Sequence, residues 1–240
     1  MTLDLNETIE PYRDLRTEKT PRYIDQMPLL ISGKNLDNEV VDIQRTPIQV
    51  ADVFERRVNS SKPDWMNNLF YTGDGIVVPM QGAYSDGRFK IRKNSESLRG
   101  VNPESKLIDG GLPIESYEAV QGTEFKRRDL ILDRDMTKDE ARENPILLEL
   151  LNGDISFRDA VLDKIFSEGK KQFSYDTMMG MCLPSELKQS HERAWFVGGL
   201  YNRSGLNGRV YLQHGDRLVG KAPEVPNALS RYLSTIQTPV

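Results

Sequence analysis

The chain has 240 residues but only one cysteine, Cys182, and two histidines, His191 and His214. One thiol excludes an internal disulfide framework, and one thiol with two imidazoles is too little for a Cys-rich or His-rich metal centre. Long hydrophobic runs are also missing. The most apolar stretches, 75–80, 146–151 and 194–201, fall far below the roughly 20 residues a helix needs to span a bilayer, so no membrane crossing is expected. The segment from Met1 to Thr8 has neither the basic nor the apolar region of a secretory signal, which makes the cytoplasm the expected compartment. Positive charge is not in excess either. A formal net charge of −4 argues against coating nucleic acid through bulk charge alone.

What is present is the composition of a folded chain, 28% charged, 38% hydrophobic and 8% aromatic. A chain of this length buries roughly 70–75% of the surface its unfolded form exposes, enough for a core without covalent staples. Residues 1–46, punctuated by Pro11, Pro21 and Pro28, read as an extended N-terminal arm with one or two short strands, and 47–240 as a single α+β body. Thr46, Pro47 and Gln49 form a capping-box pattern ahead of a helix that repeats Ile48, Ala51, Phe54 and Val58 on one face. The stretch 47–132 is strand-rich. Within it Met80 to Arg92 reads as a hairpin about Asp86-Gly87, with Tyr84 facing Phe89 and with Arg88, Lys90 and Arg92 sharing the other, basic face.

Residues 137–200 read as helical. Thr137 and Glu140 make a capping box, Asn144-Pro145 restarts a helix, Phe157, Val161 and Ile165 form a buried stripe, and a further helix is expected from Ser185 through His191 and Trp195. The stretch 201–240 reads as a basic hairpin, with Gly215-Asp216 as its loop and Leu212 against Val219, followed by a C-terminal helix over 226–236. The fold class is therefore mixed α+β, built mainly of antiparallel hairpins with a helical second half, and is not Rossmann-like.

Three patterns carry candidate chemistry. The apolar strand ending in Asp133-Arg134-Asp135-Met136-Thr137 sets two carboxylates where together they could hold one Mg²⁺. This resembles the opening motif of haloacid dehalogenase-type phosphatases, and the resemblance implies Asp133 as nucleophile and Asp135 as general acid. It covers nine residues, and the long α/β core of that family does not follow. The plainer reading is a pair of acids near the positive end of a helix capped by Thr137.

The second pattern is charge asymmetry. Residues 187–240 hold seven Lys and Arg against three Asp and Glu, so a +4 tail follows a −8 first part. The tail also carries Trp195, Tyr201 and Tyr211 and a glycine-rich loop from Asn202 to Arg209. Cations interleaved with aromatics suit a phosphate-bearing or other anionic partner, single-stranded nucleic acid among them, with Arg203, Arg209, Arg217 and Lys221 as contacts and Tyr201 and Tyr211 as stacking platforms. The plainer reading pairs these cations with the acidic first part. The third pattern is Cys182 with His191 or His214 as a nucleophile and base, for which a small buried thiol among methionines is the simpler account. Residues 145–168 do not make a DNA-reading helix pair, because the second helix is net acidic.

The expectation is thus a binding or assembly protein, not an enzyme, that contacts an anionic partner through its C-terminal surface and needs no cofactor. The first alternative is Mg²⁺-dependent phosphoryl transfer at Asp133 and Asp135. The second is a homo-oligomeric structural subunit, of a phage particle or a cellular assembly, whose 1–46 arm wraps a neighbour.

Overall fold

The computed structural model describes residues 21–34, 44–60, 63–185 and 188–221. Of the expected N-terminal arm, 1–20 and 35–43 lie outside them, as does the closing helix at 226–236. In chain order the elements are α1 (Tyr23–Ser32), β1 (Thr46–Pro47), α2 (Val50–Asn59), α3 (Pro63–Asn67), β2 (Phe70–Val78), β3 (Arg88–Arg92), α4 (Glu96–Arg99), β4 (Leu112–Pro113) and β5 (Thr123–Lys126). A 3₁₀ turn (Arg127–Asp129) leads to α5 (Lys138–Glu143), α6 (Pro145–Leu150) and α7 (Ile155–Phe173). The chain then forms β6 (Met181–Cys182), β7 (His191–Val197), a 3₁₀ turn (Leu200–Asn202), β8 (Leu206–Asn207) and β9 (Gly220–Lys221).

The main sheet runs β5-β3-β2-β7-β8-β6, antiparallel except for the β6–β8 pair. Along its outer edge β7 is shared: β4 pairs with it at His191 and Glu192, and β8 at Phe196 and Val197. A second, two-stranded sheet joins β1 to β9. The fold is α+β with antiparallel pairing dominant, and not a Rossmann arrangement.

Both faces of the main sheet are covered, which is why β2 is buried along its whole length. On one face Ile76, Val78, Phe89, Ile91, Trp195 and Val197 meet Val53 and Phe54 of α2 and the apolar stripe of α7, Val161, Leu162, Ile165 and Phe166. On the other, Tyr71 and Ala194 meet Tyr23, Ile24, Met27 and Leu30 of α1 together with Leu98, Leu212 and Leu218. The helical reading of 137–173 holds. Thr137 and Glu140 cap α5 reciprocally, Asn144 Oδ1 accepts from the N–H groups of Ile146 and Leu147 at the start of α6, and Asp154 caps α7.

Several local expectations are corrected. The segment 23–32 is a helix, not part of an extended arm, because burying Tyr23, Ile24, Met27 and Leu30 outweighs the lost hydrogen bond of Pro28. Thr46-Pro47 forms a strand, and α2 starts one turn later, where Asp52 accepts from the Gln49 N–H at 2.7 Å. The loop after β2 is longer than a two-residue turn. Asp86-Gly87 sits at its end, so Phe89 pairs with Phe125 of β5, while Tyr84 packs on Tyr117. Arg88, Lys90 and Arg92 do share a face, but each is already engaged: Arg88 with Asp86, Lys90 with the Tyr117 and Val120 carbonyls, and Arg92 with Glu192.

The helix expected from Ser185 is instead the strand β7. Its register with β2 and the aromatic and β-branched run Trp195-Phe196-Val197 fit a sheet interior. The hairpin about Gly215-Asp216 does not form either, since Leu212 and Val219 pack into the two different cores.

A buried arginine braces the end of this framework. Arg57 of α2 is 1% exposed and donates to the carbonyls of Trp65, Asn68 and Gly198 at 2.9, 3.1 and 2.8 Å, and among the described residues no carboxylate forms an ion pair with it. Burial lowers its pKa to about 9. Arg57→Met is expected to cost about 2–3 kcal/mol in urea unfolding with an unchanged m-value, because three carbonyls lose their donor while the volume is kept. A cost under ~1 kcal/mol would show that these carbonyls find other donors.

Candidate functional site

Three chain segments meet beyond the ends of β7 and β8: 133–136, 178–182 and 198–209. Backbone hydrogen bonds lace them together. The Asp133 N–H donates to the Met181 carbonyl at 2.8 Å, Met179 N–H to Arg203 at 2.7 Å, Leu206 N–H to Gly180 at 2.8 Å and Gly208 N–H to Cys182 at 2.8 Å. Between them lies a cleft of about 370 Å³ lined by Asp133, Asp135, Cys182, Phe196, Asn202 and Asn207 among others. Four non-glycine residues around it adopt the left-handed conformation, Asp133 (φ 60°), Met179 (φ 55°), Arg203 (φ 56°) and Ser204 (φ 51°). Such residues cost of order 1–3 kcal/mol each outside the favoured region, and they persist where the surroundings over-determine them, typically at ligand sites.

The two candidate groups read from the sequence are one constellation here. Arg203 Nη1 donates to Asp135 Oδ2 at 2.6 Å, and Arg209 Nη2 donates to Asp133 Oδ1 at 2.6 Å. Arg203 also lies over the Tyr175 ring, 4.6 Å from its centroid, and Arg209 Nε donates to the Leu183 carbonyl. Neither guanidinium is consumed. Each is more than 40% exposed and keeps N–H donors beyond the bonds to its aspartate. A Mg²⁺ held between Asp133 and Asp135 would have to displace both arginines, and among the described residues no group of three or more His, Cys, Asp or Glu side chains is placed to hold a metal.

Tyr201 and Tyr211 are exposed on the same C-terminal segment, 47% and 37% respectively. Arg217 and Lys221 are not brought to the cleft. Arg217 is buried with its guanidinium over Phe70, and Lys221 of β9 pairs with Asp52 of α2 at 3.1 Å. The absent hairpin is the reason, since it would have carried them outward. Cys182 lines the cleft, but burial pushes its thiol above its ordinary range, with Arg209 opposing and Asp133 and Asp135 adding to the rise. No imidazole is bonded to it. His191 is fully buried in β7 and held neutral at pH 7, its pKa lowered to about 4 by burial and by Arg193.

No protein-family model and no curated protein sequence matches the chain. A solved structure does, under the description "Accommodation of massive sequence variation in Nanoarchaeota by the C-type lectin fold". It superposes with a TM-score of 0.56 over 73% of this chain and 87% of that one, at 16% sequence identity. This fold is similar to the C-type lectin fold. Within the lectin-like frame the cleft is built by irregular segments mounted on β7 and β8, whereas the layers beneath carry the core.

Sequence reading missed Arg193, Asn202 and Asn207, and it did not pair the two charged groups. The Asn202-Arg-Ser-Gly-Leu-Asn-Gly sequence was the available signal, since Asn, Ser and Gly cluster in turns, although the left-handed positions in it are Arg203 and Ser204. Among the described residues, no helix is long and apolar enough to cross a membrane.

Proposed function

We propose that this chain is a binding protein whose contact surface is the loop-built face around the cleft, with Arg203 and Arg209 contacting acidic groups of the partner and Tyr201 and Tyr211 flanking them. The observation that carries this reading is the mounting of both arginines. Asp135 and Asp133 each hold one guanidinium and leave it other N–H donors, and one residue of each pair, Arg203 and Asp133, is fixed in left-handed backbone. The two pairs sum to no net charge, so the surface recognises an acidic group by directed N–H donors and exerts little bulk attraction. The likeness to a fold described as accommodating sequence variation supports a division between constant framework and recognition loops.

The test is anisotropy of labelled single-stranded DNA and RNA at two salt concentrations. Each Arg→Ala change removes a donor and also unmasks an aspartate, so the double variant Arg203→Ala, Arg209→Ala is expected to bind at least about tenfold more weakly at low salt. Asp133→Asn, at a position whose left-handed backbone asparagine tolerates, is expected to bind more tightly. Absence of binding at low salt, or binding that the double variant leaves unchanged, overturns nucleic acid as the partner.

A further inference from the structure

The outer edge of β7 has a notch. β4 covers it at His191 and Glu192 and β8 at Phe196 and Val197, which leaves Arg193 to Trp195 without a strand partner on that side. Arg193 spans the gap, donating from Nη1 to the Arg209 carbonyl at 2.7 Å and from Nη2 to the Asp109 carbonyl at 2.6 Å. It is 4% exposed, and among the described residues its Nε finds no partner and no carboxylate forms an ion pair with it. The ring of Tyr211 lies over its guanidinium at 4.7 Å. Burial is the leading influence on Arg193 and lowers its pKa, with Tyr211 and Asp109 opposing.

Arg57 is buried with carbonyl partners in the same way, but Arg193 opens onto a cavity. That cavity, about 600 Å³, is lined by Asp109, Ser185, Arg193, Arg209, Tyr211 and His214. It is distinct from the Asp133 cleft, and the Asp133–Arg209 ion pair forms the partition, one partner lining each side. The cavity wall holds an aromatic pair, Tyr211 and His214, with ring centroids 5.0 Å apart. Tyr211 is fixed on its inner side by Gly110, whose φ of +79° and missing Cβ let the ring lie against the backbone, and by the Leu212 N–H donating to the Gly110 carbonyl at 2.8 Å.

We propose that this cavity is a binding site for a small monoanionic carboxylate bearing a flat ring, the carboxylate compensating Arg193 and the ring stacking on Tyr211 and His214. The charge inventory selects one negative charge. Arg209 is already matched by Asp133, and the Asp109 carboxylate at the rim disfavours a dianion, which leaves the unmatched unit of Arg193. A buried cation satisfied only by carbonyl dipoles and a ring face gains more from an entering anion than an exposed one does, because the intervening dielectric is low.

The site deepens the reading of this face as a binding surface, yet it is tested separately, with the full ¹⁵N-labelled chain and three probes: sodium benzoate, sodium acetate and inorganic phosphate. The readout is the Arg193 Nε–H resonance, assigned by its disappearance in Arg193→Lys. Benzoate is expected to shift it saturably with a Kd of about 1–10 mM, acetate more weakly, and phosphate no more than acetate. Tyr211→Ala is expected to weaken benzoate about fivefold or more and to leave acetate nearly unchanged. Asp109→Asn is expected to tighten both about two- to fivefold. Both substitutions are at exposed positions, so the test stands even if Arg193→Lys fails to fold, with assignment then made through bonds to the backbone. No saturable shift with benzoate, a larger response to phosphate, or weaker binding by Asp109→Asn overturns the proposal. Benzoate binding by a chain that ignores oligonucleotides would sink only the nucleic-acid reading, and the converse only this one.

Discussion

Arg92→Ala is expected to lower the unfolding free energy by about 3–5 kcal/mol, the cost typical of stranding one member of a buried ion pair. Arg92 Nη1 donates to Glu192 Oε2 at 2.8 Å and to the Ser97 hydroxyl at 2.8 Å, and Glu192 is fully buried in β7. The carboxylate cannot swing to water, because it lies against Gly75 of β2, where even a Cβ would fall on it. Burial is the largest influence on Glu192 and raises its pKa, with Ser95, Arg92 and Ser97 opposing.

The sign of the pH dependence follows. With a native pKa above the unfolded one, the native state binds the Glu192 proton first as pH falls, so this group favours folding on acidification and costs stability above its native pKa. Removing Arg92 raises that pKa further. The stability gap between wild type and Arg92→Ala is therefore expected to narrow between pH 8 and pH 5, and Glu192→Gln to cost far less than Arg92→Ala. Urea melts of the three proteins at both pH values decide it. A gap that is constant with pH, or a Glu192→Gln loss as large as that of Arg92→Ala, would show that the effect is packing and not an orphaned charge.

This pair also shows what the sequence made legible. The helices of the second half are specified locally, by Thr137 with Glu140, by Asn144-Pro145 and by the spacing of Val161 and Ile165, so neighbouring residues sufficed to read them. The central strands are specified from afar. Thr72-Gly73-Asp74-Gly75 is a poor strand sequence by propensity, yet it lies in the middle of β2 because Glu192, over a hundred positions later, occupies the space above Gly75. His191-Glu192-Arg193 read as helix for the same reason: Glu192 finds its partner on β3, and Arg193 its partners on the loop before β4 and on the segment after β8.

Asp133 and Asp135 on one side, and Arg203 and Arg209 on the other, stood in the sequence as rival candidates about seventy positions apart. No local rule relates them. What joins them is the 178–182 segment, bonded to both sides, and a sequence read without pairing information cannot place it. Net charge was legible but its disposition was not: three of the tail's seven cations pair with Asp52, Asp133 and Asp135 of the acidic first part, whereas Arg193, with no ion pair among the described residues, faces a cavity.

The second large effect is expected at Asp74, on the opposite face of the same strand from Gly75. Its carboxylate is fully buried and ties β2 to two other segments: it accepts from the Val50 N–H at the start of α2 at 2.8 Å and, in the turn after β3, from the Asn94 N–H at 2.9 Å and from Lys93 Nζ at 3.2 Å. Lys93 in turn donates to the Leu150 carbonyl at the end of α6, at 2.8 Å. Burial raises the Asp74 pKa against the pull of Lys93, Asn94 and Val50, so the carboxylate stays where it is for its donors and not for its solvation. Asp74→Ala leaves two backbone donors without an acceptor and the Lys93 ammonium without its counter-charge, holding only the Leu150 carbonyl, at an expected cost of about 3–5 kcal/mol. Asp74→Asn keeps the shape but points an amide N–H₂ at donors, and about 2–4 kcal/mol is expected. Lys93→Met alone should cost less than either, because Asp74 keeps two N–H donors, and in the Asp74→Asn background it should cost little more. A double-mutant cycle measured by urea unfolding tests this, and additive losses would mean that Asp74 acts through the backbone donors alone and that Lys93 does not contribute to the junction.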